Sequence, residues 1–349
     1  MQWSGSRAGL RAGVPVDGEP GIDMTAMEER TAETAELEAT LVRIRQPLVS
    51  PPMPPVALWL AVKTSPGLRR MLPGRLAVTL GRSRGKAIWR REPDTRREAI
   101  RSLEAIVGGT PRAGEAAALA REQVIEREIH RMLFWQPWKM ARMDARSTQN
   151  VTRALESGRA VLLSSCHLGP IFLHLSAITS RKRGYILSAP WFFEEPSSDY
   201  WGRRLAHWRR RLMKRNERLV PTSGAYPVLR ELLRQDELVV VYFDMPGSRE
   251  TSFLGKPVML ATGTARLAAE TGALVLPVRA RRNGHRAWTD VSTPLDPTDF
   301  DGFESLHDAL AAVHERWILE RPATLESPDR PGAWEHTATA RGWTRPDAA

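Results

Sequence analysis

The chain has 349 residues, 42% of them hydrophobic, enough to bury one large domain or a core domain with an added segment. Its formal net charge of +11 and pI of about 10.5 suit an anionic partner such as nucleic acid, an anionic membrane or a phosphorylated substrate. A single cysteine, Cys166, excludes an intrachain disulfide, and no run reaches the ~18 apolar residues of a membrane span, the nearest being Pro55 to Val62, ended by Lys63.

Residues 1–50 read as a disordered leader followed by a Pro-rich linker. The first 23 residues are rich in Gly and Arg and lack a signal-like apolar core, and Met24 and Met27 offer alternative starts. Glu28 to Arg45 is rich in helix formers with a thin apolar stripe. Pro47, Pro51, Pro52, Pro54 and Pro55 then exclude helix and central strand. Residues 51–150 read as a helical, basic, membrane-proximal segment. Lys63 to Arg91 carries nine basic residues and no acid, Arg96 to Val107 sets Ile100, Leu103 and Ile106 on one face, and Gly114 to Leu133 is rich in Ala, Glu and Arg.

From residue 151 to 325 strands and helices alternate, which argues for an α/β sheet covered by helices. Strands are expected at Ala160–Ser165, Tyr185–Ala189, Leu238–Phe243, Leu274–Arg279 and Ala287–Val291. Helices are expected at Pro170–Ser180, Tyr200–Arg215, Ala225–Arg234, Gly263–Thr271 and Phe303–Leu319. The last of these carries Phe303, Leu306, Leu310, Val313 and Trp317 as a core stripe. Residues 326–349 read as a loose tail.

His167 directly follows the apolar run Ala160 to Cys166 and precedes Leu168-Gly169-Pro170. Pro170 suits the first turn of a helix. The imidazole therefore stands between a strand's C-terminal end and a helix's N-terminal end, where open α/β sheets bind ligands. There it can take a proton near neutral pH, or serve only as a hydrogen-bonded turn residue. Cys166 is its neighbour on a strand and points to the other face, which argues against a Cys–His pair. No His, Cys and Asp spacing fits a metal site, and no Gly-rich phosphate loop is present.

A second block begins Phe243-Asp244-Met245-Pro246-Gly247-Ser248-Arg249. It continues through Ser252-Phe253-Leu254-Gly255-Lys256-Pro257 and Thr262-Gly263-Thr264-Ala265 to Pro277. Here the chain resembles the lysophospholipid acyltransferase superfamily, closest to the branch of lipid A late acyltransferases and phosphatidylinositol mannoside acyltransferases. The resemblance covers roughly residues 90 to 325. It implies a glycerolipid acyltransferase-like fold, a mostly parallel sheet covered by helices, and acyl transfer to a hydroxyl of a membrane lipid or glycolipid. The family pairs a His with an acid five residues on, and its His matches His167, which would take the acceptor's proton. The donor would be acyl-CoA or an acyl carrier protein thioester, used as co-substrate rather than as a tightly bound cofactor. The second block would meet substrate through Arg249, Phe253 and Gly255. From chain geometry, the N–H groups of Leu168 and Gly169 are expected to hold the oxyanion.

The fifth residue after His167 is Phe172, which cannot accept an imidazole N–H. Three readings stand. Another carboxylate, Glu194, Glu195, Asp199 or Asp244, orients His167; the base works unassisted; or catalysis is lost and the protein binds lipid or acyl chains. In serine proteases, disabling the orienting Asp costs about 10⁴ in rate. His174, two helical turns along, reads as a helix-edge residue.

The helix near Tyr200 sets Trp201, Leu205, Trp208 and Leu212 on one face among Arg203, Arg204, Arg209, Arg210 and Arg211. With the resemblance, this reads as a basic amphipathic helix lying on an anionic membrane, with Trp201, Arg204, Trp208 and Arg211 in contact. The expected location is the cytoplasmic face of the cell membrane, peripherally bound. Nucleic acid is not an expected partner, since no recognised DNA or RNA module accompanies the charge.

Overall fold

The computed structural model describes residues 24–46, 73–133, 142–170, 176–179, 181–188, 193 and 217–325. The helix expected at Tyr200–Arg215, the Pro-rich linker and the tail lie outside them. The chain to Arg43 forms one unit and the chain from Ile44 another. The first contains nearly all of α1, Met24–Arg45, whose apolar residues do not gather on one face.

The first helices described in the second unit are α2 (Gly74–Arg91), α3 (Pro93–Val107) and α4 (Ala116–Leu133). Pro93 opens α3, where its missing N–H costs nothing, and Leu103 and Ile106 are fully buried. Both α2 and α3 pack on α4.

The following elements are α5 (Ala145–Glu156), β1 (Val161–Ser165), α6 (Ser176–Thr179), β2 (Gly184–Ser188), β3 (Glu217–Pro221), α7 (Ala225–Arg234), β4 (Leu238–Tyr242), β5 (Pro246–Phe253), β6 (Lys256–Leu260), α8 (Gly263–Thr271), β7 (Leu274–Asn283), β8 (Arg286–Val291) and α9 (Phe303–Glu320). Asp144 caps α5 by accepting the Ser147 N–H at 2.7 Å. Six strands form one sheet in the order β3-β2-β4-β1-β7-β8, parallel except for the edge strand β8, while β5 and β6 form a separate antiparallel hairpin. The α/β architecture with a mostly parallel sheet is thus the one expected.

Strands β1 and β4 are central and apolar on both faces, as strands covered on both sides must be. Val161, Leu163, Leu238, Val240, Leu274, Leu276 and Val278 pack with Val151 and Ala154 of α5 on one face. On the other, α7, α8 and α9 contact β4, β1 and β7.

The hairpin and β3 were not expected. The hairpin turns at Leu254 and Gly255, both with positive φ (56° and 72°). Leu254 holds this strained conformation because it is fully buried and its N–H donates to Glu315 Oε2 at 3.0 Å. A Cβ on Gly255 would stand 1.8 Å from the carbonyl oxygen of Gly109, so only glycine fits there. On α9, His307 and His314 join the buried face, where Val313 was expected.

Candidate active site

Ser165 at the end of β1 pairs with Tyr242 at the end of β4, and the Phe243 N–H donates to the Ser165 carbonyl at 2.6 Å. The strands are parallel, so two residues further along each brings His167 beside Asp244. His167 Nδ1 lies 2.9 Å from Asp244 Oδ1, and the His167 backbone N–H donates to Asp244 Oδ2 at 3.0 Å. One residue thus occupies both oxygens of a nearly buried carboxylate. The Tyr242 ring stacks on the imidazole, with centroids 4.3 Å apart and planes at 21°.

Burial pushes the Asp244 carboxyl up, but the adjacent His167, its two N–H bonds and nearby His314 outweigh burial and hold it below its ordinary value. Near neutral pH it is a carboxylate and can only accept hydrogen bonds. In the neutral imidazole, His167 Nδ1 is therefore the nitrogen that donates to Asp244 and Nε2 the one with a lone pair, the arrangement of a general base.

Phe243 alternates to the opposite face, between His307 and His314 of α9, at centroid distances of 5.1 and 5.0 Å. His314 Nε2 meets Ser164 Oγ at 2.9 Å, and His307 Nε2 meets Thr251 Oγ1 at 2.8 Å. These bonds tie α9 to β1 and to the hairpin, fixing the strand exit that presents Asp244. Neither histidine has a sequence signature apart from its place on the stripe of α9.

Burial pushes His314 down to about 4, against a partial upward pull from Asp244. The unfolded chain therefore binds more protons between pH ~4 and ~6.5, and stability falls as pH drops through that window. The His314 contribution lost between about pH 7 and about pH 5 is roughly 2 kcal/mol. Urea midpoints should fall accordingly, and His314→Leu should flatten that fall.

The structure corrects the roles expected of Leu168, Gly169, Phe253 and Gly255. The Leu168 N–H donates to the Cys166 carbonyl and the Gly169 N–H to the Thr324 carbonyl, both at 2.7 Å, so neither is available to an oxyanion. Leu168 bridges Leu325, and Gly169, with φ +71°, passes so close to β7 that a Cβ would lie 2.4 Å from the Ala280 carbonyl oxygen. Leu168 to Pro170 is not helical. Phe253 is fully buried against Phe243, with centroids 6.0 Å apart, and faces the core rather than a substrate. Gly255 is the hairpin tip pressed on Gly109. Arg249 reaches Asp308 of α9 at 3.3 Å. Cys166 is buried, and burial holds its thiol well above its ordinary value, so it is no nucleophile.

Phe172, His174, Glu194, Glu195, Asp199, Trp201, Arg204, Trp208 and Arg211 lie outside the described residues. Among the described residues, no group of His, Cys, Asp and Glu could hold a metal ion. Under the Leu168–Gly169 turn a small pocket is lined by His130, Arg279, Arg282 and Trp317, and its arginines pair with Asp290, Glu320 and Glu126.

No curated protein sequence matches the chain. Among solved structures, the chain is similar to a 1-acyl-sn-glycerophosphate (LPA) acyltransferase, PlsC, from Thermotoga maritima. The two share 16% identity and a TM-score of 0.37 over 73% of this chain and 97% of that one. The family model for bacterial lipid A biosynthesis acyltransferases matches residues 53–325, most of the chain, and so the protein belongs to that acyltransferase family.

Proposed function

We propose that the protein moves a fatty acyl group from an acyl thioester to a hydroxyl of a membrane lipid or glycolipid, with His167 as general base and Asp244 as the group that orients it. The observation that carries this reading is the two-point hold of Asp244 on His167, at 2.9 Å to the ring and 3.0 Å to the backbone. It supplies the acid that Phe172 does not.

In this mechanism the acceptor O–H gives its proton to His167 Nε2 as its oxygen attacks the thioester carbonyl. The Asp244 carboxylate offsets the charge of the imidazolium. When the tetrahedral intermediate collapses, the C–S bond breaks and the proton passes from Nε2 to the departing thiol. The Tyr242 stack limits ring rotation, so Nε2 keeps its direction.

Coenzyme A and acyl carrier protein are both acidic, and a chain with net charge +11 suits either donor. A lipid acceptor places the enzyme peripherally on the cytoplasmic face of the cell membrane. Among the described residues no helix is long and apolar enough to cross a membrane.

The test supplies a long-chain acyl-CoA, and separately an acyl carrier protein thioester, together with a lipid extract. Thiol release with an equimolar new acylated lipid supports the reading. Thioester hydrolysis without an acylated lipid, or no release with either donor, sinks it and leaves the lipid-binding reading that Phe172 suggests.

A further inference from the structure

The face of β4 that buries Leu238 and Val240 ends in Tyr242, the strand's one aromatic residue and the only residue of the strand that is not fully buried. Side chains alternate along a strand, so Tyr242 and Asp244 leave it on the same side and Phe243 on the other. Both therefore meet His167, which lies just beyond Ser165, the residue paired with Tyr242. They meet it in different directions. Asp244 lies at the edge of the imidazole, 2.9 Å from Nδ1. Tyr242 lies on its face, with centroids 4.3 Å apart and planes 21° from parallel. The side chains of His167 and Asp244 are 17% and 5% exposed, so little water screens either contact.

An aromatic face carries partial negative charge and attracts a cation within about 6 Å of its centroid. Against a neutral imidazole the Tyr242 ring contributes packing, which is the same before and during a reaction. Against an imidazolium it contributes an electrostatic attraction as well. His167 becomes an imidazolium only as it takes the acceptor's proton, so this attraction arises along the reaction and lowers its barrier. Packing alone needs no aromatic ring, and the other four positions of β4 are filled by Leu and Val. We propose that Tyr242 is a positioning residue whose ring face stabilises the His167 imidazolium, a second source of compensating charge beside Asp244. The role belongs to the ring and not to the hydroxyl. The inference rests on the acyltransferase reading, because it concerns the charge that His167 acquires in that reaction.

The experiment measures kcat and KM of the full chain for palmitoyl-CoA, and for a palmitoyl acyl carrier protein, with a lipid extract supplying the acceptor and near-UV circular dichroism checking the fold of each variant. Tyr242→Leu keeps an apolar side chain against the imidazole but removes the aromatic face. It should lower kcat about tenfold and leave KM within about twofold. Tyr242→Phe should hold kcat within about threefold of wild type. Monofluoro- and trifluorophenylalanine at position 242 keep nearly the shape of Phe while fluorine drains negative charge from the ring face. Along that series kcat should fall stepwise.

Equal kcat across the fluorinated series would overturn the proposal, since a ring that only packs does not sense its own charge. So would a Tyr242→Phe loss as large as that of Tyr242→Leu, which would assign the role to the hydroxyl. A rise in KM with kcat unchanged in Tyr242→Leu would overturn it too and make Tyr242 a substrate contact. A wild type that forms no acylated lipid would sink the acyltransferase reading and this inference with it, whereas an active wild type with a flat series would sink this inference alone.

Discussion

Asp244→Asn is expected to lower kcat for acyl transfer by a factor of about 10²–10⁴ with the fold intact. The two bonds from His167 decide how the amide sits. The backbone N–H needs an acceptor, so the Asn oxygen takes the place of Oδ2 and its NH₂ group faces Nδ1. Nδ1 must then accept, and the proton moves to Nε2, the nitrogen required as base. The imidazolium also loses its counter-charge. KM should change less than kcat, because the interaction acts in the transition state. A kcat within about threefold of wild type would show that Asp244 only braces the loop, and a variant that loses its near-UV circular dichroism would have lost the fold instead.

The second large effect concerns stability. Arg282 of β7 and Glu126 of α4 are both more than nine-tenths buried and form a two-point pair, with Arg282 Nε donating to Glu126 Oε2 at 2.9 Å and Nη2 bonding Oε1. Burial pushes the Glu126 carboxyl up, but the Arg282 bond together with the charges of His130, Arg282 and Arg321 holds it below its ordinary value. Glu126→Gln would leave a buried guanidinium without its counter-charge, at a cost of about 3–5 kcal/mol and a fall in Tm of roughly 10 °C. Glu126→Leu/Arg282→Met removes both charges and should recover most of that loss. A double variant no more stable than Glu126→Gln would mean that the pair's geometry, and not its charge, secures α4 to β7. Because the pair's carboxyl is depressed, its contribution is complete above the unfolded value near pH ~4.3 and disappears as pH falls through the folded value.

The apolar cores of β1, β4 and β7 were legible as runs of Val and Leu. The helices at Ala225–Arg234 and Gly263–Thr271 were legible to the residue, because turn residues bound them: Gly224 before the first, Thr262 and Gly272 around the second. The hairpin was not legible. Pro246-Gly247-Ser248-Arg249-Glu250 is polar, and its turn uses Leu254-Gly255 in place of Asn-Gly, a choice held by Glu315 and Gly109 from distant parts of the chain.

At the site, the position of His167 after an apolar strand was readable. Its contact with Asp244, one of four candidate carboxylates, is set by the parallel register of Ser165 against Tyr242, which no local pattern encodes. The oxyanion role assigned to Leu168 and Gly169 fails for a similar reason: Thr324, beyond the end of α9, returns to take the Gly169 N–H.

The most direct test of the central claim is product formation from a long-chain acyl thioester and a lipid hydroxyl acceptor by the wild type and by His167→Ala, with vesicle binding measured on both. The account predicts an acylated lipid with the wild type, loss of at least about 10²-fold in the variant, and equal binding of both proteins to vesicles. Equal turnover by the two proteins would contradict it, because the reaction would then proceed without the imidazole that the ends of β1 and β4 hold in place.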